Sequence, residues 1–526
     1  MKRLLILTLV LAMFLVAVPA NADPGILYVD DDNVCGGNSP CYLHPQDAVN
    51  AANPGDTILV YPGTYGSRLY TTKPPHWGPN DQYAPALIVY KDGLTIEAID
   101  PDPANTVIES THNFWSNPVA IQASTGGTWD GSKYIGAGVN PTSGSAPNAV
   151  AVIASNVTIR GLTFHRHYEG TWATYNTAGV MIGGLCAGCS QHLGSNGNAV
   201  EDCVFSDVWH AVYIWHSSGN TIINNTVANL STNHWAAIST YDGDTDAKIQ
   251  LGYLSENNLI AHNNIANKGI ALGAWAPSIW TSNAGSQVCH NTTTQVGVSY
   301  AHGPVIIGCN TGTFWQYLTD QVLRVKGVVY AGNTELWSIS NADVNLSAQL
   351  GYDGSADGSG VEVVFTVNGT EYTATTAAGG TASTTANLPP GLYTVETKVT
   401  VCGDCEFTDS DPLVIGQIVP IDIKPGSDPN SINLKSKGVV PVAVLTTEEF
   451  DASSVDPATV TFAGASPVRW VMEDVGGDGG VDLVLHFRTQ DLELDATSTE
   501  ATLTGSTYDG QDIQGTDAVR IVPGSK

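Results

Sequence analysis

Between Asn198 and Gly303 the chain repeats nearly one phrase four times. Asn198-Ala-Val-Glu-Asp-Cys-Val-Phe205 aligns with Asn220-Thr-Ile-Ile-Asn-Asn-Thr-Val227, then with Asn258-Leu-Ile-Ala-His-Asn-Asn-Ile265 and Ser286-Gln-Val-Cys-His-Asn-Thr-Thr293. The starts lie 22, 38 and 28 residues apart, so a fixed unit carries loop insertions of different length. Each unit has an apolar residue third (Val200, Ile222, Ile260, Val288), and the first three have another eighth (Phe205, Val227, Ile265). Five steps is an odd number, so an unbroken strand would put these two on opposite faces. Both reach one core only if the chain bends between them. The pairs Asn224-Asn225 and Asn263-Asn264 stand at that bend, and Asn tolerates the required backbone geometry. A second β-like run follows each bend: His210–Trp215, Trp235–Ser239, Gly269–Gly273 and Val296–Tyr300. Strand, corner, strand and loop, repeated one rung higher, specify a solenoid of parallel strands. Asn side chains stacked at its corners are expected to hydrogen-bond along the stack.

The N-terminus reads separately. Lys2-Arg3, the apolar run from Leu4 to Val18, and Ala20-Asn21-Ala22 form a secretory signal peptide over residues 1–22, with cleavage expected before Asp23. The expectation is a secreted protein, extracellular or held at the cell surface. No later stretch approaches the ~18 unbroken apolar residues of a membrane span. The formal charge of −30, from 20 Lys and Arg against 50 Asp and Glu, argues against nucleic acid as a partner. That acidity suits divalent cations or simple solubility. The 55 Gly and 27 Pro fit a chain of strands and turns. Nine cysteines in an exported chain invite pairing. Cys35/Cys41, Cys186/Cys189 and Cys402/Cys405 close short loops. Cys289 and Cys309 stand about one coil apart and are expected to be bonded, which leaves Cys203 as a buried thiol where other coils carry Asn225 and Asn263.

Near the start, residues 45–52 have helical apolar spacing and end at Asn53-Pro54-Gly55, a cap for the open end of the solenoid. The words Tyr28-Val-Asp-Asp-Asp32, Gln46-Asp-Ala-Val49, Pro54-Gly-Asp-Thr-Ile58 and Pro62-Gly-Thr-Tyr65 resemble the N-terminal cap and first coil of the pectin-lyase-like superfamily. The resemblance covers roughly residues 26–320 and implies an all-β chain whose residues 23–320 form a right-handed parallel β-helix. Residues 335–416 alternate with period two and resemble an Ig-like β-sandwich; residues 418–526 resemble a C-terminal module of exported bacterial proteins. The fold class is therefore a β-helix followed by two small β-sandwich domains, with 417–420 as linker.

The resemblance implies an extended extracellular polysaccharide as partner, but no single activity, because the superfamily includes lyases, glycosidases and adhesins. The aspartate motifs of its polygalacturonase-type members and the arginine motifs of its pectate lyases are absent from the sequence. Two classes of function follow: a polysaccharide lyase or glycoside hydrolase, or a non-catalytic glycan-binding, adhesion or structural surface protein. In the catalytic reading Arg166 neutralises a uronate, His210 or His216 is the base, and Tyr213 the acid. In the binding reading Tyr213, Trp215, Tyr241 and Trp275 share one outward sheet face beside Ala237, Ser239, Ala271 and Gly273, an open trough for sugar rings. Two stretches are candidate Ca²⁺ loops. Asp242, Asp244 and Asp246 alternate along one turn. Asp474, Asp478 and Asp482 take positions 1, 5 and 9 of an EF-hand-like loop with Gly479 sixth, but Gly476 and Leu485 replace its third and twelfth ligands.

Overall fold

A computed structural model describes residues 24–66, 87–109, 128–129, 134–135, 149–165, 178–183, 195–208, 210–215, 217–228, 236–241, 255–273, 281–299, 301–317 and 319–522. The chain divides into two compact units, Met1–Val322 and Leu323–Lys526.

The first unit is a parallel β-helix. Among the described residues its coils run through three parallel sheets. The first sheet holds nine successive coil strands, from Ile26–Val29 to Val305–Gly308. The second has six, from Gly63–Gly66 to Asn264–Ile265, and the third eight, from Leu87–Val89 to Thr313–Tyr317. Register turns the repeat into columns. Ile58, Ile96, Ile159, Val200, Ile222, Ile260, Val288 and Ile307 stand one above another in the first sheet, all buried. Tyr65, Ile108, Phe164, Phe205, Val227 and Ile265 do so in the second, with the Phe164 and Phe205 rings stacked at 5.0 Å. These are the third and eighth positions of the repeat, facing one core as the odd spacing required.

The bend between these sheets is a single left-handed residue per coil. Asp202, Asn224, His262 and His290 have φ of 54°, 58°, 56° and 53°, each directly after its first-sheet strand. The next residue turns inward and forms a ladder. Asn225 Oδ1 accepts the Cys203 backbone N–H at 3.0 Å, and Asn263 Oδ1 accepts that of Asn225 at 3.0 Å. Asn291 and Asn310 continue it. The sequence reading placed this ladder. It did not place the second one, at the first position of the repeat, where Asn220 Oδ1 accepts the Asn198 N–H at 3.0 Å and Asn258 Oδ1 that of Asn220 at 2.9 Å.

The helix Pro45–Ala51 covers the end of the stack. The Gln46 side chain acts as a missing strand: its Oε1 accepts the Ile88 N–H at 2.7 Å and its Nε2 donates to the Ile88 carbonyl at 3.1 Å. Backbone groups on an open edge are otherwise unpaired. Cys35 and Cys41 form a disulfide. Cys289, Cys309, Cys402 and Cys405 also stand in disulfides. Cys203 is a buried free thiol, as its place in the Asn ladder predicts.

The second unit is mainly antiparallel. Leu323–Tyr330 of one strand, Ala342–Gly354 and Thr381–Leu388 pair in one sheet, and Tyr330 meets Phe365 of another sheet edge to face at 6.5 Å. The expected linker is not a separate segment. Strand Cys405–Ile418 runs through Gln417 and Ile418, which pair with Ile513 and Gln514. Residues on both sides of the expected boundary thus share one eight-stranded sheet, because alternating burial continues through it: Leu413, Ile415 and Gln417 are all buried. A four-stranded sheet completes the C-terminal region, in the order Ile421–Ile423, Val439–Val444, Asp482–Arg488, Pro467–Glu473.

Candidate functional site

Among the residues predicted to act, Arg166, His216, Trp275, Asp242, Asp244 and Asp246 lie outside the described residues, as does the side chain of Tyr241. His210, Tyr213 and Trp215 lie on the strand His210–Trp215 of the third sheet. Their parity is as expected for the last two. Val212 and Ile214 enter the main core, while Tyr213 and Trp215 join Ala178 and Met181 in a separate cluster on the other face. The rings form a chain, with His210 to Tyr213 at 4.9 Å and Tyr213 to Trp215 at 5.9 Å. His210 Nδ1 lies 3.3 Å from Ser239 Oγ on the next coil.

The expected openness is corrected. His210, Tyr213 and Trp215 are only 2%, 5% and 3% exposed, so these three side chains are covered. Ala237, Ser239 and Ala271, expected beside them, are buried as well, and Ala237 faces the main core. The reason is a register shift between Ala236 and Ile238, which turns two consecutive residues inward where strict alternation allows one. Ala211 and Val212 repeat this pattern one coil earlier, which frees His210 to turn outward toward Tyr213.

On other faces of the β-helix the polar side chains brace neighbouring coils. Arg160 reaches Glu201 at 2.7 Å and Glu97 at 3.6 Å, one coil to either side. The hydrogen bond to Glu201 raises its guanidinium pKa further. His165 Nδ1 lies 2.8 Å from Ser206 Oγ and 3.7 Å from an Asp207 oxygen.

The loop over 474–482 is closed by its own hydrogen bonds. Buried Asp482 accepts from the Thr446 N–H at 2.9 Å and from those of Val475 and Gly476 at 3.0 and 3.3 Å. Asp474 accepts from Gly477 at 2.6 Å and Gly479 at 3.1 Å, and Asp478 from Gly480 at 2.9 Å. The three carboxylates are not gathered within 4.8 Å of one another. As folded, this loop does not fit a hard cation, which needs several oxygens at ~2.3–2.6 Å from one centre.

The second unit holds a cleft that no sequence motif marked. This cleft of about 640 Å³ has Trp337 and Phe450 in its walls, with Gln417, Thr447, Glu449, Gln514 and Thr516 as its polar groups. Strand Glu335–Ser338 pairs with Val414–Gln417 and sets the Trp337 indole flat over Gly416, where a side chain would come within 2.4 Å of the ring. Trp337 Nε1 donates to Glu335 Oε1 at 3.3 Å. The Gln417 amide is held at both ends, donating to the Ile339 carbonyl at 2.9 Å and accepting from Gln511 at 3.1 Å. Gln514 and Thr516 project from the strand that pairs with Ile418. Aromatic faces with fixed amides and hydroxyls suit a polyhydroxylated ring. Acid–base cleavage of a glycoside needs two carboxyl groups, and Glu449 is the one carboxylate among the described lining residues. Sequence reading missed this cleft because Trp337 and Phe450 lie more than a hundred residues apart in separate expected domains.

The fold defines an all-β protein with large parallel sheets, a β-helix joined to a mainly antiparallel unit. No family model matches the sequence, and no curated protein matches it. Solved structures with local likeness include a 1.5-MDa bacterial ice-binding adhesin, at 19% identity over 40% of this chain and 68% of that one, with a TM-score of 0.15. Another is SGBP-B of the Bacteroides ovatus mixed-linkage glucan utilization locus, in complex with a mixed-linkage heptasaccharide. It is 10% identical over 38% of this chain and 48% of that one, with a TM-score of 0.15. A Ca²⁺-stabilized adhesin of an Antarctic bacterium is 16% identical over 40% and 52%, with a TM-score of 0.14. Scores of this size carry no argument about function.

Proposed function

We propose that this is an exported, non-catalytic glycan-binding protein of the cell surface, with a pectin-lyase-like β-helix as rigid platform and the Trp337–Phe450 cleft as sugar site. The carrying observation is the cleft's lining, an aromatic wall with the held Gln417 amide and a single carboxylate. Secretion is supported by the N-terminal sequence pattern and by the Cys35–Cys41 disulfide. Burial of His210 and Tyr213 argues against catalysis by these residues on the β-helix face.

The test is a panel of extracellular polysaccharides offered to the full chain, read for binding, new reducing ends and unsaturated uronate absorbance. Binding without product is expected. An indole that covers roughly 60 Å² of sugar contributes about 1.5 kcal/mol, so Trp337→Ala should weaken binding about tenfold. Product formation would return the function to catalysis, and undiminished affinity in Trp337→Ala would remove the cleft.

A further inference from the structure

Strand Pro467–Glu473 is the edge of the C-terminal four-stranded sheet, hydrogen-bonded on one side only. Its burial departs from that of its neighbours. One cross-strand row runs Ile423, Val442, Leu485, Trp470, and the next runs Ile421, Val444, Leu483, Met472. Residues directly opposite in a sheet share a face. The first three members of each row are core, at 8% exposure or less, whereas Trp470 is 53% exposed and Met472 40%. The apolar face therefore continues past the point where the chain covers it. Val468, Val471 and Val481 are exposed beside it.

A bare edge strand with an apolar face is a pairing template. What it pairs with is written in its charges. An antiparallel copy related by a two-fold axis perpendicular to the sheet keeps faces matched only in registers where residue numbers of opposed positions sum to an even value. Centred on Val471, that register sets Arg469 opposite Glu473, twice. It also sets Trp470 opposite Met472, a thioether–aromatic contact on the uncovered face, and Val471 opposite itself. Moving the register by one permitted step sets one charge opposite Val471 and the other opposite Pro467 or Val475, so both pairs are lost. Like charges at an edge discourage self-pairing, whereas here opposite charges fall at self-matching positions. Within their own chain they are poorly placed. Arg469 sits opposite His486 and Glu473 opposite Asp482, and among the described residues neither makes an ion pair.

We infer that strand 467–473 is a homotypic interface, joining two copies of this chain into one continuous eight-stranded sheet through Arg469–Glu473 pairs across a two-fold axis. The contact is isologous, so the assembly closes at two copies.

Sedimentation analysis of the full chain tests this. The wild type is expected at about twice the 55.2 kDa of one chain. Arg469→Glu alone and Glu473→Arg alone each set like charges opposite and should sediment as monomers. An equimolar mixture of the two single variants restores both pairs and should give a heterodimer, and the double exchange in one chain should give a homodimer. These positions are exposed, so circular dichroism should be unchanged. A monomeric wild type overturns the inference, and so do single variants that dimerise undiminished or a mixture that stays monomeric.

Discussion

Replacing Asn263 with Ala probes the feature that holds the coils in register. The side chain is 1% exposed and serves both neighbouring coils. Its Oδ1 accepts the Asn225 backbone N–H at 3.0 Å and Asn225 Nδ2 at 2.9 Å, while its Nδ2 donates to the Ile222 carbonyl and to Asn291 Oδ1, each at 2.9 Å. Alanine leaves two buried donors on Asn225 without an acceptor, at about 1–3 kcal/mol each, so a loss of about 2–6 kcal/mol is expected. The adjacent Asn264 is exposed, and its alanine variant should fall within about 0.5 kcal/mol of wild type. A chain of two units is unsuited to a single unfolding free energy. Native-state hydrogen exchange of the Asn225 amide is the local readout, and a loss of about 3 kcal/mol speeds it roughly a hundredfold. Equal exchange in wild type and Asn263→Ala would refute the ladder as a source of stability.

Further expectations follow from the same geometry. Asn224→Gly should preserve the stability of the coil, and Asn224→Val should cost about 1–2 kcal/mol because φ of 58° is strained for a β-branched residue; equal melting of the two variants contradicts this. Burial pushes the Cys203 thiol up to about 12, so it should resist alkylation in the native chain and react only on unfolding; rapid native labelling would show the site to be open. The hydrogen-bonded 474–482 loop should melt identically in EDTA and in millimolar Ca²⁺, and a Ca²⁺-dependent rise that Asp474→Asn abolishes would restore calcium there. The hydrogen bond from Arg324 holds the Asp353 carboxyl below its ordinary range. Its contribution is therefore present above ~pH 4 and lost as pH falls further, and Asp353→Asn should flatten that part of the acid-unfolding curve.

Much of the β-helix was legible because its signal is local and repeated. The odd spacing from Val200 to Phe205 demands a bend whatever the surroundings, and the column of Asn225, Asn263 and Asn291 sits where that bend must be. The ladder of Asn198, Asn220 and Asn258 stood in the same alignment, but its first-position asparagines precede a strand and read as loop residues. The site was less legible. Parity placed Tyr213 and Trp215 on the outer face, yet parity says nothing of what lies over a face, and the shift at Ala236 breaks the alternation that the trough relied on. Trp337, Gln417, Phe450 and Gln514 meet only through sheet pairing between 417–418 and 513–514, which no local pattern announces. The Asp474–Asp482 spacing was read as metal chemistry, although the same spacing lets carboxylates cap the loop's own N–H groups.

The proposed sugar site lies in the second unit and not on the β-helix. Hydrogen–deuterium exchange of the full chain with and without a glycan it binds measures this directly. Protection concentrated at residues 335–339, 447–450 and 512–516 is predicted. Protection at 210–215 and 236–241, with the Trp337 segment unchanged, would contradict it.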